Sequence, residues 1–227
     1  MEFPEAQDFE ASKLGTKAYW DTVYDRENVN FDELGDIGEV WFGEESVERM
    51  VEWCIDNIDP QSRIVDLGCG NGHLLLELSA EGYKSLHGID YSESAITLAK
   101  AIARQRELEW IQYDAVDFIS QPDWFLPRDP YDVVLDKGTY DAISLHPDQT
   151  LAKEQGVAGP REKYVVSAHR MINKTGFFLI TSCNWTKEEL IENFKEYFEY
   201  HSHVKYPVFE FGGQSGSKIC TVAFTPK

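Results

Sequence analysis

Four aspartates in this 227-residue chain each stand at the end of a short apolar run: Asp66, Asp90, Asp114 and Asp136. The first lies in VDLGCGNG, where Gly68, Gly70 and Gly72 let the main chain turn tightly and approach a ligand closely. A dinucleotide-binding turn has the spacing G-x-G-x-x-G/A, with the pyrophosphate on the following helix N-terminus. Here the spacing is G-x-G-x-G, and His73 takes the place of the third small residue. Asp66 is unfavourable beside phosphates but suits an ammonium group, so the expected ligand is a phosphate-free, cationic adenosine derivative. S-adenosylmethionine, with its ammonium, carboxylate and sulfonium, fits that description. Asp90, with Tyr91 beside it, is placed to accept both ribose hydroxyls, a position that NAD enzymes also use. Asp114, followed by Ala115, is placed to accept the adenine amino group, or else to cap a helix through Val116–Ile119. Asp136, in LDKGTYD, stands beside the expected reacting centre.

The elements that must position these groups are legible as alternating patterns. Arg63–Leu67, Ser85–Asp90, Glu109–Tyr113, Tyr131–Leu135 and Gly176–Ser182 read as strands. Val47, Met50, Val51, Cys54, Ile55 and Ile58 fall on one helical face that Pro60 ends. Leu74, Leu75 and Leu78 mark a helix after the glycine turn. Ser92 is an N-cap for a helix bearing Ala95, Ala99, Ile102 and Ala103. Pro160 opens a helix with Tyr164, Val165, Ala168 and Ile172. Thr186 and Glu189 have capping-box spacing ahead of Leu190, Ile191, Phe194 and Phe198. Two final strands, near Tyr206–Phe211 and Ile219–Thr225, flank GGQSGSK without a helix and form an antiparallel hairpin. Repeated βα units require parallel strands with helices on both faces. The expected fold is therefore α/β, doubly wound, with a mostly parallel sheet and a C-terminal antiparallel strand. Residues 44–227 form that domain. Residues 1–43, rich in aromatics but without periodicity, form an N-terminal extension over the cleft, with 1–13 expected to be mobile.

Lys+Arg number 21 and Asp+Glu 40, a net charge of −19. That balance repels a nucleic-acid backbone and attracts a basic partner. The four cysteines form no C-x-x-C pair and the six histidines no ligand cluster, so no metal is expected. The longest apolar runs fall far below the roughly 18 residues of a membrane helix, and the amino terminus has no signal-peptide pattern. A soluble, cytoplasmic protein is expected, with no membrane partner and acting as a monomer.

The succession VDLGCGNG, GIDYS, QYDA and VVLDKGTYDAIS resembles the class I, seven-stranded S-adenosylmethionine-dependent methyltransferases. More narrowly, LGTKAYWDTVYDRE, GEVWFGEES, LDKGTYDAISL and SCNWTKEEL resemble the lysine methyltransferases of translation elongation factor 1-alpha, from about Leu14 to the C-terminal hairpin. The resemblance implies a cytosolic enzyme that transfers a methyl group to a lysine of that factor. Such chemistry needs alignment of the amine rather than a covalent intermediate. A protonated lysine cannot attack, and an aromatic slot would favour the neutral amine. Asp136 would orient the amine or the cofactor's ammonium, Tyr140 and Trp185 would wall the slot, and Asn184 would align the nitrogen. Trp41, before the first regular helix, would cover the cofactor. A small-molecule methyltransferase and a non-catalytic binding module on the same fold are the alternatives.

Overall fold

RIVDL and YDVVL carry bulky apolar side chains at successive positions, the pattern of strands covered on both faces. In the computed structural model, which describes residues 9–125, 130–206, 209–211, 214–216 and 219–227, these segments lie side by side at the sheet centre. β1 (Arg63–Leu67), β2 (Ser85–Asp90), β3 (Gln112–Ala115), β4 (Tyr131–Lys137) and β5 (Ile172–Ser182) are followed by β6 (Phe198–Val204). A separate ribbon, β7 (Phe209–Phe211) with β8 (Gln214–Gly216), precedes β9 (Cys220–Pro226). The seven-stranded order is β3-β2-β1-β4-β5-β9-β6. Only β9 runs against its neighbours, between β5 and β6. From β1 the chain winds outward to β3, then returns across β1 to β4. The carboxyl ends of β1 and β4 therefore flank the switch point where open α/β sheets bind ligands.

Helices α1 (Lys17–Leu34), α2 (Gly43–Asn57), α3 (His73–Ala80) and α4 (Glu93–Gln105) precede β4 in the chain. α5 (Thr139–Ser144), α6 (Pro147–Gln155), α7 (Pro160–Met171) and α8 (Lys187–Phe194) follow it. One core joins α2, α3 and α4 to the sheet through Met50, Leu75, Leu98 and Ile102. The opposite core is aromatic: Tyr164, Phe178, Phe194, Phe198 and Phe224 are fully buried and in ring contact. Ser92 caps α4, Pro160 opens α7, and the Thr186–Glu189 capping box opens α8, all as their sequence signals require.

Four expectations need correction. The third strand begins at Gln112, because Leu108, Trp110 and Ile111 are spent on a turn closed by the Ile111 N–H to the Leu108 carbonyl at 3.0 Å. Val116–Ile119 is a turn capped by Asp117, not a helix. The partner strand of the terminal hairpin begins at Phe198 rather than Tyr206, since α8 ends at Phe194. Phe194 and Phe198 have helical spacing, but they share the aromatic core from two different elements. Regular structure begins well before Glu44, with the 18-residue α1. α1 packs on α4, where the Asn28 amide donates to the Ser94 carbonyl at 2.9 Å. Of the segment expected to be mobile, residues 1–8 lie outside the described residues. Phe9 packs edge-on against Trp185, and the Ser12 N–H donates to the Leu145 carbonyl.

The aromatic core gives a direct stability test. Phe178→Ala removes a ring that contacts four others, and it is expected to cost about 3–5 kcal/mol in urea unfolding, without changing strand content by circular dichroism.

Candidate active site

A cavity of about 380 Å³ opens at the switch point. Its floor is the turn from β1 to α3. Gly68 and Gly70 both have left-handed φ, at 65° and 55°. A Cβ at Gly68 would lie 2.1 Å from the Thr139 hydroxyl, and one at Gly70 would lie 2.5 Å from the Tyr24 hydroxyl. The glycines thus admit side chains from α5 and α1 right against the turn. Asn71 donates to the Ile37 carbonyl at 3.0 Å and fastens the turn to the segment after α1. His73 reaches back to Glu44 of α2 at 2.9 Å, so the residue that breaks the dinucleotide spacing joins two helices.

Four carboxylates are buried at this edge, Asp66, Asp90 and Asp136 at strand ends and Asp141 on α5, and burial pushes each up from the ordinary carboxylate range. Their surroundings differ. Asp90 accepts N–H groups of Gly70 at 3.2 Å and Ser92 at 2.9 Å; desolvation outweighs these donors and raises it to about 6. Asp136 is wholly buried and accepts the N–H groups of Thr139 and Tyr140, each at 2.9 Å, together with the Tyr164 hydroxyl. Burial still raises it to about 7. Asp66 is nearly buried, accepts no hydrogen bond among the described residues, and faces the cavity. Its nearest compensation is the Lys137 ammonium, which pulls its carboxyl down while burial pushes it up. Burial lowers Lys137 in turn. The Lys137 ammonium also donates to the Trp41 carbonyl at 2.8 Å.

Of the residues singled out in the sequence, Trp41, Asp66, Gly68, Gly70, Asp90, Tyr91 and Asn184 line this cavity. Gly72, Asp114, Ala115, Asp136, Tyr140 and Trp185 do not. Gly72 caps α3 beneath the turn. Asp114 bonds His87 at 3.1 Å and Gln112 at 2.9 Å, while Asp117, three residues on, lies at the cavity. Asp136 spends its oxygens on the start of α5. Tyr140 packs among Tyr164, Trp185 and Phe194, and the Trp185 indole donates to the Ser144 hydroxyl at 3.2 Å. Both rings are buried in the aromatic core.

Sequence reasoning missed Trp20, Tyr24 and Asp141, which line the cavity together with Lys137, a residue whose place in DKGTYD suggests a structural or orienting role rather than a nucleophile. The spacing of Trp20 and Tyr24 was the available signal, because residues four apart share a helix face. Their rings stack with centroids 6.1 Å apart, and Trp20 meets Trp41 edge-on at 4.9 Å. A buried carboxylate that accepts no hydrogen bond among the described residues, beside aromatic walls and with a second carboxylate ending β2, suits a cationic, phosphate-free nucleoside. Asp66 and Asp90 would hold its ammonium and ribose. Among the described residues no helix is long and apolar enough to cross a membrane.

A family model described as a methyltransferase domain matches residues 58–219. EEF1A lysine methyltransferase 2 of Mus musculus is 44% identical over 220 residues, covering 96% of this chain and 86% of that one. Protein-lysine N-methyltransferase efm4 of Schizosaccharomyces pombe is 46% identical over 230 residues, covering 94% of each. Among solved structures, magnesium protoporphyrin IX methyltransferase from Synechocystis with bound SAM superposes with a TM-score of 0.61 at 15% identity, covering 92% of this chain and 97% of that one. At that identity the likeness speaks for the fold alone.

The raised carboxyl of Asp90 has a signed consequence. Its contribution to stability is fully present below the unfolded value near 3.8 and is lost as pH rises to about 6. Acceptance of two ribose hydroxyls requires the ionised form, so ligand binding has the opposite slope. Calorimetric affinity for S-adenosylhomocysteine is expected to fall as pH drops below about 6, and Asp90→Asn is expected to flatten that dependence.

Proposed function

The chain belongs to the S-adenosylmethionine-dependent protein-lysine methyltransferases of the EEF1A lysine methyltransferase 2 and efm4 family, and we propose that its substrate is a lysine of translation elongation factor 1-alpha. Relatives named EEF1A lysine methyltransferase match along nearly the whole of this chain, which supports the substrate. The same reading puts the protein in the cytoplasm as a monomer. Its net charge of −19 favours a basic protein surface over nucleic acid.

S-adenosylmethionine, when bound, supplies a methyl group activated by a sulfonium. The chain's own residues bind, orient and desolvate. Asp66 receives the ammonium, which stabilises the ionised carboxylate against burial, and Asp90 receives the ribose hydroxyls. Trp41 and the aromatic face of α1 exclude water. A lysine ε-amine, ordinarily with a pKa of about 10.4, must arrive neutral to attack. The apolar side of the cavity, with Leu14, Ile143 and Leu145, favours the neutral form by desolvation. Asn184 lines the same cavity and would align the nitrogen through its side-chain oxygen, which the Cys183 thiol also approaches at 3.6 Å. Asp136, Tyr140 and Trp185 support this geometry from the core.

Labelled S-adenosylmethionine added with the enzyme to a lysate from cells lacking it is expected to mark a band that elongation factor 1-alpha antibodies deplete. Label confined to small molecules would overturn the substrate assignment. Asn184→Ala is expected to lower kcat on that substrate about 10–100-fold with cofactor affinity retained.

A further inference from the structure

The second carboxylate of DKGTYD has an arrangement unlike that of the first. Asp141, on α5, lies at the cavity and is almost fully buried. One of its oxygens accepts the Ser182 hydroxyl at 2.6 Å. The other accepts the Cys183 N–H at 2.8 Å and, more weakly, the Asn184 N–H at 3.4 Å. The Ser182 hydroxyl in turn accepts the N–H groups of Asn184 at 3.2 Å and Trp185 at 3.0 Å. Every backbone donor from Cys183 to Trp185 therefore ends on Asp141 or on the hydroxyl that Asp141 orients. The bonds to the ionised Asp141 carboxylate are charge-assisted and directional, and the neutral bonds to Ser182 extend the same network.

The same helix touches the cofactor side. The Thr139 hydroxyl donates to the Leu67 carbonyl at 2.7 Å and abuts Gly68. α5 thus carries one residue toward the glycine turn and another toward the turn after β5, with Asp136 satisfying its first N–H groups. Burial raises Asp141, and the three donors counter that shift by stabilising the ionised form.

From this geometry we infer that Asp141 is a positioning residue for methyl transfer: it fixes the Ser182–Asn184 turn so that Asn184 faces the target amine, and it acts on turnover rather than on cofactor affinity. The inference deepens the proposed function and rests on the role given there to Asn184. A turn released by even about 1 Å displaces an aligning group enough to cost on the order of 100-fold in rate.

The test is a double-mutant cycle of Asp141→Ala and Asn184→Ala, with kcat and KM on the protein substrate, affinity for S-adenosylhomocysteine, and thermal unfolding measured for each variant. The inference expects Asp141→Ala to lower kcat at least about tenfold while S-adenosylhomocysteine affinity stays within about threefold. It also expects the double variant to be no slower than Asn184→Ala alone, since the two act through one group. Asp141→Asn keeps an oxygen for the backbone donors and is expected to recover part of the loss. Wild-type kcat in Asp141→Ala, a matching loss of cofactor affinity, or additive effects in the cycle would each overturn it. If Asp141→Ala does not fold, Ser182→Ala and Asp141→Asn decide: a fall in kcat at unchanged cofactor affinity supports the inference, and unchanged kcat in both overturns it. An Asn184→Ala variant with full activity while Asp141→Ala is slow removes Asn184 from the proposed chemistry and overturns the route through it, whereas loss of protein methylation in every variant and in wild type would refute the proposed substrate instead.

Discussion

Carboxylates buried at the end of a parallel sheet are costly unless something compensates each one, and this molecule is arranged around three such debts. Asp136 is compensated by the first N–H groups of α5 and by Tyr164, so its charge is spent inside the protein. Asp90 is compensated in part by Gly70 and Ser92, which also fixes the glycine turn against β2. Among the described residues Asp66 receives no hydrogen bond, and the neighbouring Lys137 ammonium offsets its burial. The gradient from satisfied to unsatisfied is what turns a sheet edge into a binding site. A cation arriving at Asp66 completes what the fold leaves incomplete.

Lys137 links this electrostatics to the N-terminal segment. Its ammonium sits among Asp66, Asp136 and Glu44, yet its hydrogen bond goes to the Trp41 carbonyl. The segment after α1 is thereby tied to β4, while Asn71 ties the same segment to the glycine turn through Ile37. Phe42, held at a left-handed φ of 66°, places its ring against Gly138 at the start of α5. The cover over the cavity is accordingly part of the structure that orients its floor, and α1 contributes walls as much as the strands do.

α5 is short, but three regions converge on it. Thr139 meets the cofactor turn, Asp141 meets the turn after β5, and Leu145, just past its end, receives Ser12 and closely abuts Gly15. Within the seven residues from Thr139 to Leu145 the chain couples the glycine turn, the turn after β5 and the N-terminal segment, and this coupling gives DKGTYD a positional meaning beyond any single reacting group.

The sequence by itself determined the βα alternation, the glycine turn, the caps at Ser92, Pro160 and Thr186, and the position of Asp66 and Asp90 at the edge where the cavity opens. Each of these depends on local spacing or backbone requirements that neighbouring residues express directly. It did not reveal α1, because only Glu27 of its 18 residues is buried and its apolar groups are scattered, with Trp20 and Tyr24 at the cavity and Val29 and Leu34 exposed. It assigned Phe198 to a helix because a shared aromatic core mimics helical spacing across a chain reversal. It named Asp136 and Asp114, which do not line the cavity, and passed over Asp141 and Asp117, which do, because residue type announces a carboxylate but not its direction. Direction was decided by tertiary structure alone: a carboxylate turns toward whichever N–H groups the packing leaves without partners, and those belong to segments far away in the chain.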